Sequence, residues 1–313
     1  MTLQQLAYFV AVADVRSFTR AADVTGVAQP TLSRQLRALE DDLGAPLVNR
    51  GKSVTLTPAG EAVLPLARRM LADMDLARES VAELVGLRTG RVRVGATPSM
   101  CIGWFAEVLR LFHERYPEIH LELAENGSQS LVRSLARGAL DVALVVVPPS
   151  GIDPTLDTLP LLRERLSVAS PRSGRPPSSR GSMTITELSR RSLVMVRQGY
   201  DLREVTLQAY HAAGVTPRFA VEGGEMDAVL RLVEAGTGVA VVPDLVFAGR
   251  PRLRRTVLTP PLYRTVALAR RTDIAPTHAA QSFIDVLLSY VSTVDAAGGM
   301  SADVQVLHRA PSP

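Results

Sequence analysis

Hydrogen-bonding side chains are concentrated between residues 17 and 50, and their types suit one kind of chemistry. When a helix enters the major groove of DNA, arginine pairs with guanine and glutamine with adenine through two-point hydrogen bonds. Gln29, Thr31, Ser33 and Arg34 begin a segment with helical spacing, and the start of a groove-reading helix is where base contacts are made. The alternative interpretation is that they form the solvated side of an ordinary amphipathic helix.

The elements around these side chains follow a helix-turn-helix pattern. The spacing of apolar residues predicts three helices, over residues 3–15, 18–24 and 30–43. Ser17 is placed to cap the second helix, and Gly26 supplies the backbone freedom of the turn that follows. Pro30 is tolerated in the first turn of the third helix, which ends at Gly44. A short helix, a tight turn and a second helix rich in donors is the layout of a DNA-reading motif.

Two β-prone runs follow the third helix, at residues 47–50 and 53–57. They flank Gly51 and Lys52 and predict a hairpin with basic residues at its tip. We interpret the hairpin as a wing whose Arg50 and Lys52 contact phosphates and fix the register without reading sequence.

A long helix is predicted from Pro58 to about Leu87, with Thr57 as its cap. Apolar residues mark a seam along it, at Leu64, Ala67, Leu71, Met74 and Leu84. We expect this seam to pack on the same helix of a second copy of the chain. The alternative is a helix packed within its own domain, since apolar spacing alone does not name the partner.

Composition narrows the class of protein. The chain has 313 residues, 46% of them hydrophobic, so two or three domains with proper cores are expected. Charged residues interrupt every long apolar run and the N-terminus lacks the order of a signal peptide, so we expect a cytoplasmic protein without a membrane helix. The formal charge is +4, but residues 1–60 carry six basic and five acidic side chains. DNA recognition must therefore depend on the position of the charges rather than on their sum.

Metal and redox chemistry have little support in the sequence. The five histidines are scattered, and a single cysteine, Cys101, excludes an intramolecular disulfide and a thiolate-rich metal site. We therefore expect no metal and no cofactor. A redox-sensing role for Cys101 would need a lowered thiol pKa and usually a resolving partner. The alternative, which we favour, is a packed small apolar side chain.

From Arg91 the pattern changes to alternating strands and helices. The order strand, helix, strand, helix, strand up to Val147 predicts a parallel sheet with helices on both faces, and a second such unit follows up to Pro243. A strand at residues 264–269 and a helix at residues 279–291 return to the first unit. Residues 295–313 have no periodicity and are expected to be disordered.

Ligands of such sheets bind outside the carboxyl ends of the strands. We therefore expect a ligand cleft between two lobes, lined by the residues at these ends: Thr97, Ser99, Met100, Gly127, Ser128, Val146, Val147, Arg197, Gln198, Gly199, Gly223 and Gly224. Hydroxyls and backbone N–H groups near helix N-termini favour an anion such as a carboxylate. The alternative for each Ser or Thr is a simple N-cap.

Taken together, these motifs resemble those of the LysR-type transcriptional regulators, over residues 1 to about 292. The matching residues are Phe9, residues 17–22, residues 29–35, Leu39, Glu40, Leu43, Gly44, Leu47, Arg50 and residues 56–60. Two positions depart from the family pattern. Ala28 stands where the family usually has Ser or Thr, and Val48 where it usually has Phe. Loss of a capping hydroxyl typically costs about 1 kcal/mol of helix stability.

The resemblance implies an architecture and a set of partners. An all-α winged helix-turn-helix domain would span residues 1–58 and a linker and dimerisation helix residues 59–89. A two-lobed α/β effector domain, shaped like a periplasmic binding protein, would span residues 90–294, with lobe I at residues 90–163 and 265–294 and lobe II at residues 164–264. The expected partners are double-stranded DNA, a small-molecule effector (often a small organic acid), further copies of the chain in a homodimer or homotetramer, and RNA polymerase. The expected DNA contacts are Ser17, Arg20, Gln29, Pro30, Thr31, Ser33, Arg34, Arg37, Arg50 and Lys52.

A protein of another class is the main alternative, namely a solute-binding protein or small enzyme with an accessory helical domain. A secreted binding protein would need an export signal, which the sequence lacks. An enzyme would need an activated nucleophile or a metal, and neither a Gly-x-Ser-x-Gly turn nor a ligand cluster occurs. We therefore expect a regulator and not an enzyme.

Overall fold

The chain divides near residue 87 into two compact units in the computed structural model. The structure describes residues 1–51, 53–84, 90–148, 151–296 and 304–308. Three expectations fall outside these residues or their side chains: the phosphate contact of Lys52, the end of the long helix at Leu87 and the seam position of Leu84.

The first unit consists of three short helices, a hairpin and a long helix. Their bounds are α1 (Leu3–Val15), α2 (Phe18–Thr25), α3 (Gln29–Leu43), β1 (Val48–Arg50), β2 (Val54–Leu56) and α4 (Pro58–Leu84). The predicted winged helix-turn-helix pattern is therefore confirmed, with the two hairpin strands paired antiparallel.

Local capping explains where these helices start and stop. Ser17 Oγ accepts a hydrogen bond from the backbone N–H of Arg20, and Gly26 ends α2 with a φ of 68°, a conformation that suits glycine. Ala28 stands at the N-cap of α3 without a side-chain hydrogen bond, as its departure from the family pattern predicts. Pro30 in the first turn limits the cost, because its missing N–H would have had no intrahelical partner.

The start of α4 is fitted closely to the wing. Thr57 Oγ1 accepts from the N–H of Gly60 at 3.0 Å and donates to the carbonyl of Pro46 at 2.6 Å, which confirms the predicted cap. A Cβ atom on Gly60 would stand 2.0 Å from the carbonyl oxygen of Leu47. Only glycine allows this close approach of helix and hairpin.

The core of the first unit alters the interpretation of the predicted seam. Phe9, Val12 and three leucines of α3 are fully buried, and Ala67 of α4 is buried with them at 1% exposure. Leu64 packs against the same cluster. Ala67 and Leu64 are therefore core residues of their own domain, because α4 packs on α1 over its first turns. The assignment of the fully buried Ala67 to a dimer seam was wrong, whereas that of the half-buried Leu64 stays a prediction.

The second unit contains all the remaining elements. Its helices are α5 (Pro98–Cys101), α6 (Phe105–Arg115), α7 (Ser128–Ala136), α8 (Ile185–Leu188), α9 (Asp201–Ala212), α10 (Met226–Glu234) and α11 (His278–Ala296). Its strands are β3 (Arg91–Ala96), β4 (His120–Glu125), β5 (Val142–Val147), β6 (Leu156–Pro171), β7 (Ser182–Met183), β8 (Ser192–Val196), β9 (Arg218–Gly224), β10 (Ala240–Pro243), β11 (Leu253–Arg271) and β12 (Val304–Val306).

Two lobes share one pair of long strands. The main sheet has the order β10-β6-β11-β5-β3-β4, in which β3 is parallel to β4 and β5, and β6 is antiparallel to β11. β8 and β9 form a second, parallel pair, joined to β10 through a bridge between Leu193 and Val239. One hydrophobic core lies on the β3-β4-β5 side and another around β8, α9 and α10, so the predicted α/β two-lobed architecture is confirmed. We call β6 and β11 the crossing strands.

Two expectations about this unit were wrong. Of the crossing strands, β11 was recognised only in part, at residues 264–269, whereas it spans 19 residues, and the 16-residue length of β6 was not predicted. Prolines and charged side chains interrupt their apolar pattern where they pass between the lobes. The tail was expected to lack structure, yet β12 pairs with β6 and Val306 is buried in the lobe I core. β12 could not be predicted because its three residues, Val304–Val306, are too few to show a strand periodicity.

Candidate functional site

The outer face of α3 carries the predicted base-reading side chains. Gln29, Thr31 and Arg34 are exposed, and Ser33 is half-buried. Arg37, one turn further along, is exposed as well. Within the described part of the chain, neither Arg34 nor Arg37 makes an ion pair. Their charges and donors are therefore available to a partner.

Residues at the start of α2 are partly committed to local structure. The Ser17 hydroxyl is used as the helix cap, and Arg20 Nη2 donates to the carbonyl of Val15 at 2.7 Å. Arg20 nevertheless remains exposed. Pro30, another predicted DNA contact, is exposed at the first turn of α3, next to the base-reading side chains.

Arg50 has a structural role that the sequence analysis missed. Its Nη2 donates to Glu40 Oε2 at 2.6 Å, and its guanidinium lies 5.5 Å from the centre of the Phe18 ring. Glu40 Oε1 in turn accepts from the backbone N–H groups of Leu47 and Val48. Glu40 therefore ties α3 to the wing, with Arg50 as its counter-charge. The signal in the sequence was an acidic residue next to Leu39 on the buried side of the helix.

Further along α4, a different set of apolar side chains is open to solvent. Leu66 is 56% exposed, Met70 42% and Val81 61%. Leu71 and Met74 of the predicted seam are half-buried. The exposed apolar side chains of α4 are therefore a different set from the seam that we predicted.

In lobe I, predicted cleft residues join two side chains of the crossing strands. Arg264 Nη1 donates to Ser99 Oγ at 2.8 Å, and Arg264 Nε donates to Glu164 Oε1 at 2.7 Å. Thr97 Oγ1 is 3.4 Å from Ser99 Oγ. All four side chains are buried, Glu164 at 1% exposure and Arg264 at 7%. We call these four residues the crossing-strand cluster.

Ser99 and Thr97 were predicted to line this site, whereas Arg264 and Glu164 were not predicted. Glu164 of β6 and Arg264 of β11 are directly opposite each other in the register of the two strands. Both lie at the predicted boundaries between lobe I and lobe II. Two features of the sequence could have indicated them. Arg264 begins an otherwise apolar predicted strand, and Glu164 lies between two arginines. Met100 was predicted to line the cleft, but its side chain fills the lobe I core at 1% exposure.

The two lobes meet at a pair of predicted glycines. A Cβ on Gly127 would lie 1.9 Å from the carbonyl oxygen of Gly199, so the backbones touch. The N–H of Ser128 donates to Asp201 Oδ2 at 3.3 Å across the same contact. Ser128 Oγ accepts from the backbone N–H of Val146 at 2.9 Å and so ties α7 to β5 within lobe I.

The lobe II residues form a network around one unpredicted carboxylate. Arg197 Nε donates to Glu225 Oε1 at 2.6 Å, and the Tyr200 hydroxyl donates to Glu225 Oε2. The Arg197 guanidinium lies 4.3 Å from the centre of the Tyr200 ring. The backbone N–H of Arg197 donates to the carbonyl of Gly224. Burial opposes ionisation of Glu225, but the hydrogen bonds from Tyr200 and Arg197 hold its pKa below the usual value. Gln198 and Gly223 are exposed beside this network.

A cavity of about 680 Å³ lies beside the crossing strands, between β5 and α9. Its lining comprises Val146, Val147, Pro148, Arg163, Asp201, Glu204, Val205, Gln208, Tyr263, Arg264, Thr265, Gln305 and Leu307. We call it the interlobe cavity. Only Val146 and Val147 were predicted, and two of the lining residues belong to the tail. The Arg163 guanidinium lies 4.4 Å from the centre of the Tyr263 ring.

Cys101 lies in an environment that protects the thiol form. Burial raises its pKa to about 12, and the charge of Glu125 and a hydrogen bond with that carboxylate act in the same direction. A sensing thiol needs the opposite shift.

Both units match models of one protein family. A model described as bacterial regulatory helix-turn-helix protein, lysR family, matches residues 3–61, and one described as LysR substrate binding domain matches residues 86–292. The chain belongs to the LysR family of transcriptional regulators. As a LysR-type regulator it combines a DNA-binding head with an effector-binding domain, so both the fold and the function predicted from its motifs are confirmed.

Curated relatives span most of this LysR-type chain. A probable hydrogen peroxide-inducible genes activator of Streptomyces viridosporus is 32% identical over 283 residues, which cover 88% of this chain and 89% of the relative. The uncharacterized regulator YybE of Bacillus subtilis is 28% identical over 295 residues, which cover 93% of this chain and 100% of the relative.

Solved structures of full-length regulators share the fold. A full-length OxyR variant from Pseudomonas aeruginosa superposes with a TM-score of 0.70 at 28% identity, covering 92% of this chain and 94% of that one. CbnR complexed with its target DNA gives a TM-score of 0.65 at 27% identity, covering 91% and 98%. Within the described ranges, no helix is long and apolar enough to cross a membrane, and no three side chains group as metal ligands.

Proposed function

We propose that this chain is a cytoplasmic, sequence-specific DNA-binding regulator that reads its operator with the exposed face of α3. The main support for this proposal is the state of two arginines. Arg34 and Arg37 are exposed beside Gln29 and Thr31, and neither makes an ion pair within the described residues. Gln29, Thr31, Ser33 and Arg34 contact base edges in this proposal, and Arg37 contacts a phosphate. The solved complex of the similar protein CbnR with its target DNA supports DNA binding by the shared fold.

The remaining predicted contacts have secondary roles in this proposal. Ser17 and Pro30 position the start of their helices, and Arg20 and Lys52 approach the DNA backbone. Arg50 chiefly neutralises Glu40 and adds little to the affinity. Because the head is nearly charge-balanced, one head alone binds DNA weakly, and tight binding needs two heads on one operator.

Self-association through α4 supplies the second head. The exposed Leu66, Met70 and Val81 form the contact face in this proposal, with Leu71 and Met74 at its edge. A homodimer is the minimal assembly, and a homotetramer would pair two of them. RNA polymerase is the partner through which DNA binding acts on transcription.

We further propose that a small organic anion binds in the interlobe cavity as the effector. The cavity volume suits a small molecule, and the exposed Arg163 supplies a cationic group beside apolar Val146, Val147 and Tyr263, whereas the charge of Arg264 is already paired with Glu164. A ligand that prefers one arrangement of the two lobes changes DNA binding by its differential binding energy. Regulation rather than catalysis is the role that we propose.

Footprinting on the DNA upstream of the chain's own gene tests the reading face. Wild-type protein should protect a defined site, and the Arg34→Ala variant should lose most of that protection, because a two-point arginine contact contributes about 1–3 kcal/mol of discrimination. Arg218→Ala, on the effector domain, removes the same exposed charge elsewhere and should protect as wild type does. Unchanged affinity and sequence preference in Arg34→Ala would show that the assignment of the recognition helix is wrong.

A further inference from the structure

Lobe II carries a second cavity, of about 600 Å³, which shares no residue with the interlobe cavity. The loop after β6 and the α8 region form its walls. Four arginines line it: Arg175, Arg180, Arg190 and Arg191. We call it the arginine cavity.

The positive charge of the chain is concentrated around this cavity. Residues 171–191 contain five arginines and one glutamate, a net charge of +4, which equals the formal charge of the whole chain. Residues 1–60, which include the DNA-reading head, have a net charge of only +1. The excess charge of this regulator is therefore on its effector domain.

The single carboxylate of the arginine cavity is already engaged. Glu187 Oε2 accepts from the backbone N–H of Thr184 in a capping box, and Oε1 accepts from Arg180 Nη2 at 2.5 Å. The Thr184 hydrogen bond, with the charge of Arg180, lowers the pKa of Glu187. Glu187 thus balances Arg180 and leaves the other three arginines of the cavity uncompensated.

Two of these arginines are open to a ligand. Arg175 and Arg190 are exposed, and within the described residues no carboxylate lies within ion-pair distance of either. Two other arginines of lobe II, Arg231 and Arg250, are by contrast compensated, since they share Asp227. The positive charges of Arg175 and Arg190 are therefore not neutralised by carboxylates of the described residues.

Other arginines hold the loop in place. Arg254 donates to the carbonyls of Gly174 and Arg172, at 3.0 and 2.8 Å, and Arg191 Nη2 donates to the carbonyl of Pro177 at 2.8 Å. The loop is therefore fixed at three backbone positions. A preorganised cationic loop loses less entropy on binding an anion than a free one would.

We propose that the arginine cavity binds a small molecule bearing phosphate groups. Guanidinium groups match phosphate oxygens in two-point geometry, and Ser178 and Ser179 supply hydroxyl donors in the same cavity. A cavity of this volume suits a compact ligand, whereas a DNA duplex presents its phosphates to protruding side chains on an open surface. The site is separate from the effector site proposed above and does not depend on it.

Calorimetric titration of the full-length protein with inorganic pyrophosphate tests the proposal, with inorganic phosphate as the smaller probe. Wild-type protein should bind pyrophosphate saturably and more tightly than phosphate, and added salt should weaken both. The double variant Arg175→Ala/Arg190→Ala should weaken binding by at least about tenfold, because two charge-assisted contacts are lost. Its unfolding midpoint should stay unchanged, since neither side chain pairs within the described fold.

Arg218→Ala is the control for loss of an exposed arginine, because it removes one from the same lobe outside the arginine cavity. It should bind pyrophosphate as wild type does. The proposal is overturned if wild-type protein shows no saturable binding, or if the double variant binds as tightly as wild type. It is also overturned if a short DNA duplex displaces pyrophosphate and loses affinity in the double variant, because that outcome assigns the cavity to nucleic acid.

Discussion

On α3, Arg34 and Arg37 are exposed and make no ion pair within the described residues, whereas on the crossing strands Arg264 is 7% exposed and bonded to Glu164 and Ser99. The same side chain therefore serves two purposes in this molecule. A buried, compensated arginine holds two chain segments in register, and an exposed, uncompensated one is free to bind an external anion. What separates the two is the nearest carboxylate, not the residue type.

Removing the compensated arginine should have the largest effect on stability. Arg264→Met leaves Glu164 buried without its counter-charge, and breaking a buried pair in this way typically costs about 3–5 kcal/mol. The single tryptophan, Trp104, stacks on Tyr290 in lobe I, so its fluorescence follows unfolding of the effector domain in urea.

The double variant Arg264→Met/Glu164→Leu is the control for that experiment. Replacing both partners by apolar residues removes the uncompensated charge and should recover most of the lost stability. A single variant that unfolds at the wild-type urea concentration would contradict the structural role of Arg264.

The elements of the first unit could be predicted from the sequence, but the buried partners of its arginines and of Arg264 could not. Helix caps, periodicity and the Thr57-Pro58 start are local signals, and they predicted the first unit almost completely. The partners of Arg50 and Arg264 are 10 and 100 residues away, so no local pattern could show that these arginines are compensated. The exposed Arg34 was assigned correctly to the outer face because helical spacing alone decides that position.

The candidate cleft was predicted less well for a related reason. Strand ends were placed correctly, so Ser99, Ser128 and Arg197 were found near the lobe boundary. Arg163, Tyr263 and Gln305 were missed because they lie on the crossing strands and on the tail strand. Those positions follow from the three-dimensional pairing of β6 with β11 and β12, which sequence periodicity does not encode.

The smallest effect is expected at Cys101, where the neighbouring charge is a carboxylate instead of an arginine. With a pKa of about 12, on the order of one thiol in 10⁴ is ionised at pH 8, so the thiol should react with iodoacetamide far more slowly than a free cysteine. The rate should rise with pH up to at least pH 10 without reaching a plateau. Cys101→Ser should leave any transcriptional response to peroxide unchanged, because the thiol is held in its protonated form. Rapid alkylation with a plateau near pH 7 would contradict this environment.

The salt dependence of operator binding tests most directly whether uncompensated arginines carry recognition. Each phosphate contact steepens the slope of log affinity against log salt by about 0.9, so Arg37→Ala, which removes one contact from each of two heads, should flatten the slope by about 1.8 and change the unfolding free energy by less than about 0.5 kcal/mol. Arg50→Ala, which frees Glu40, should instead lower the unfolding free energy by about 1–2 kcal/mol and leave the slope nearly as in wild type. Equal flattening by both variants, or an unchanged slope in Arg37→Ala, would contradict the distinction between compensated and available arginines.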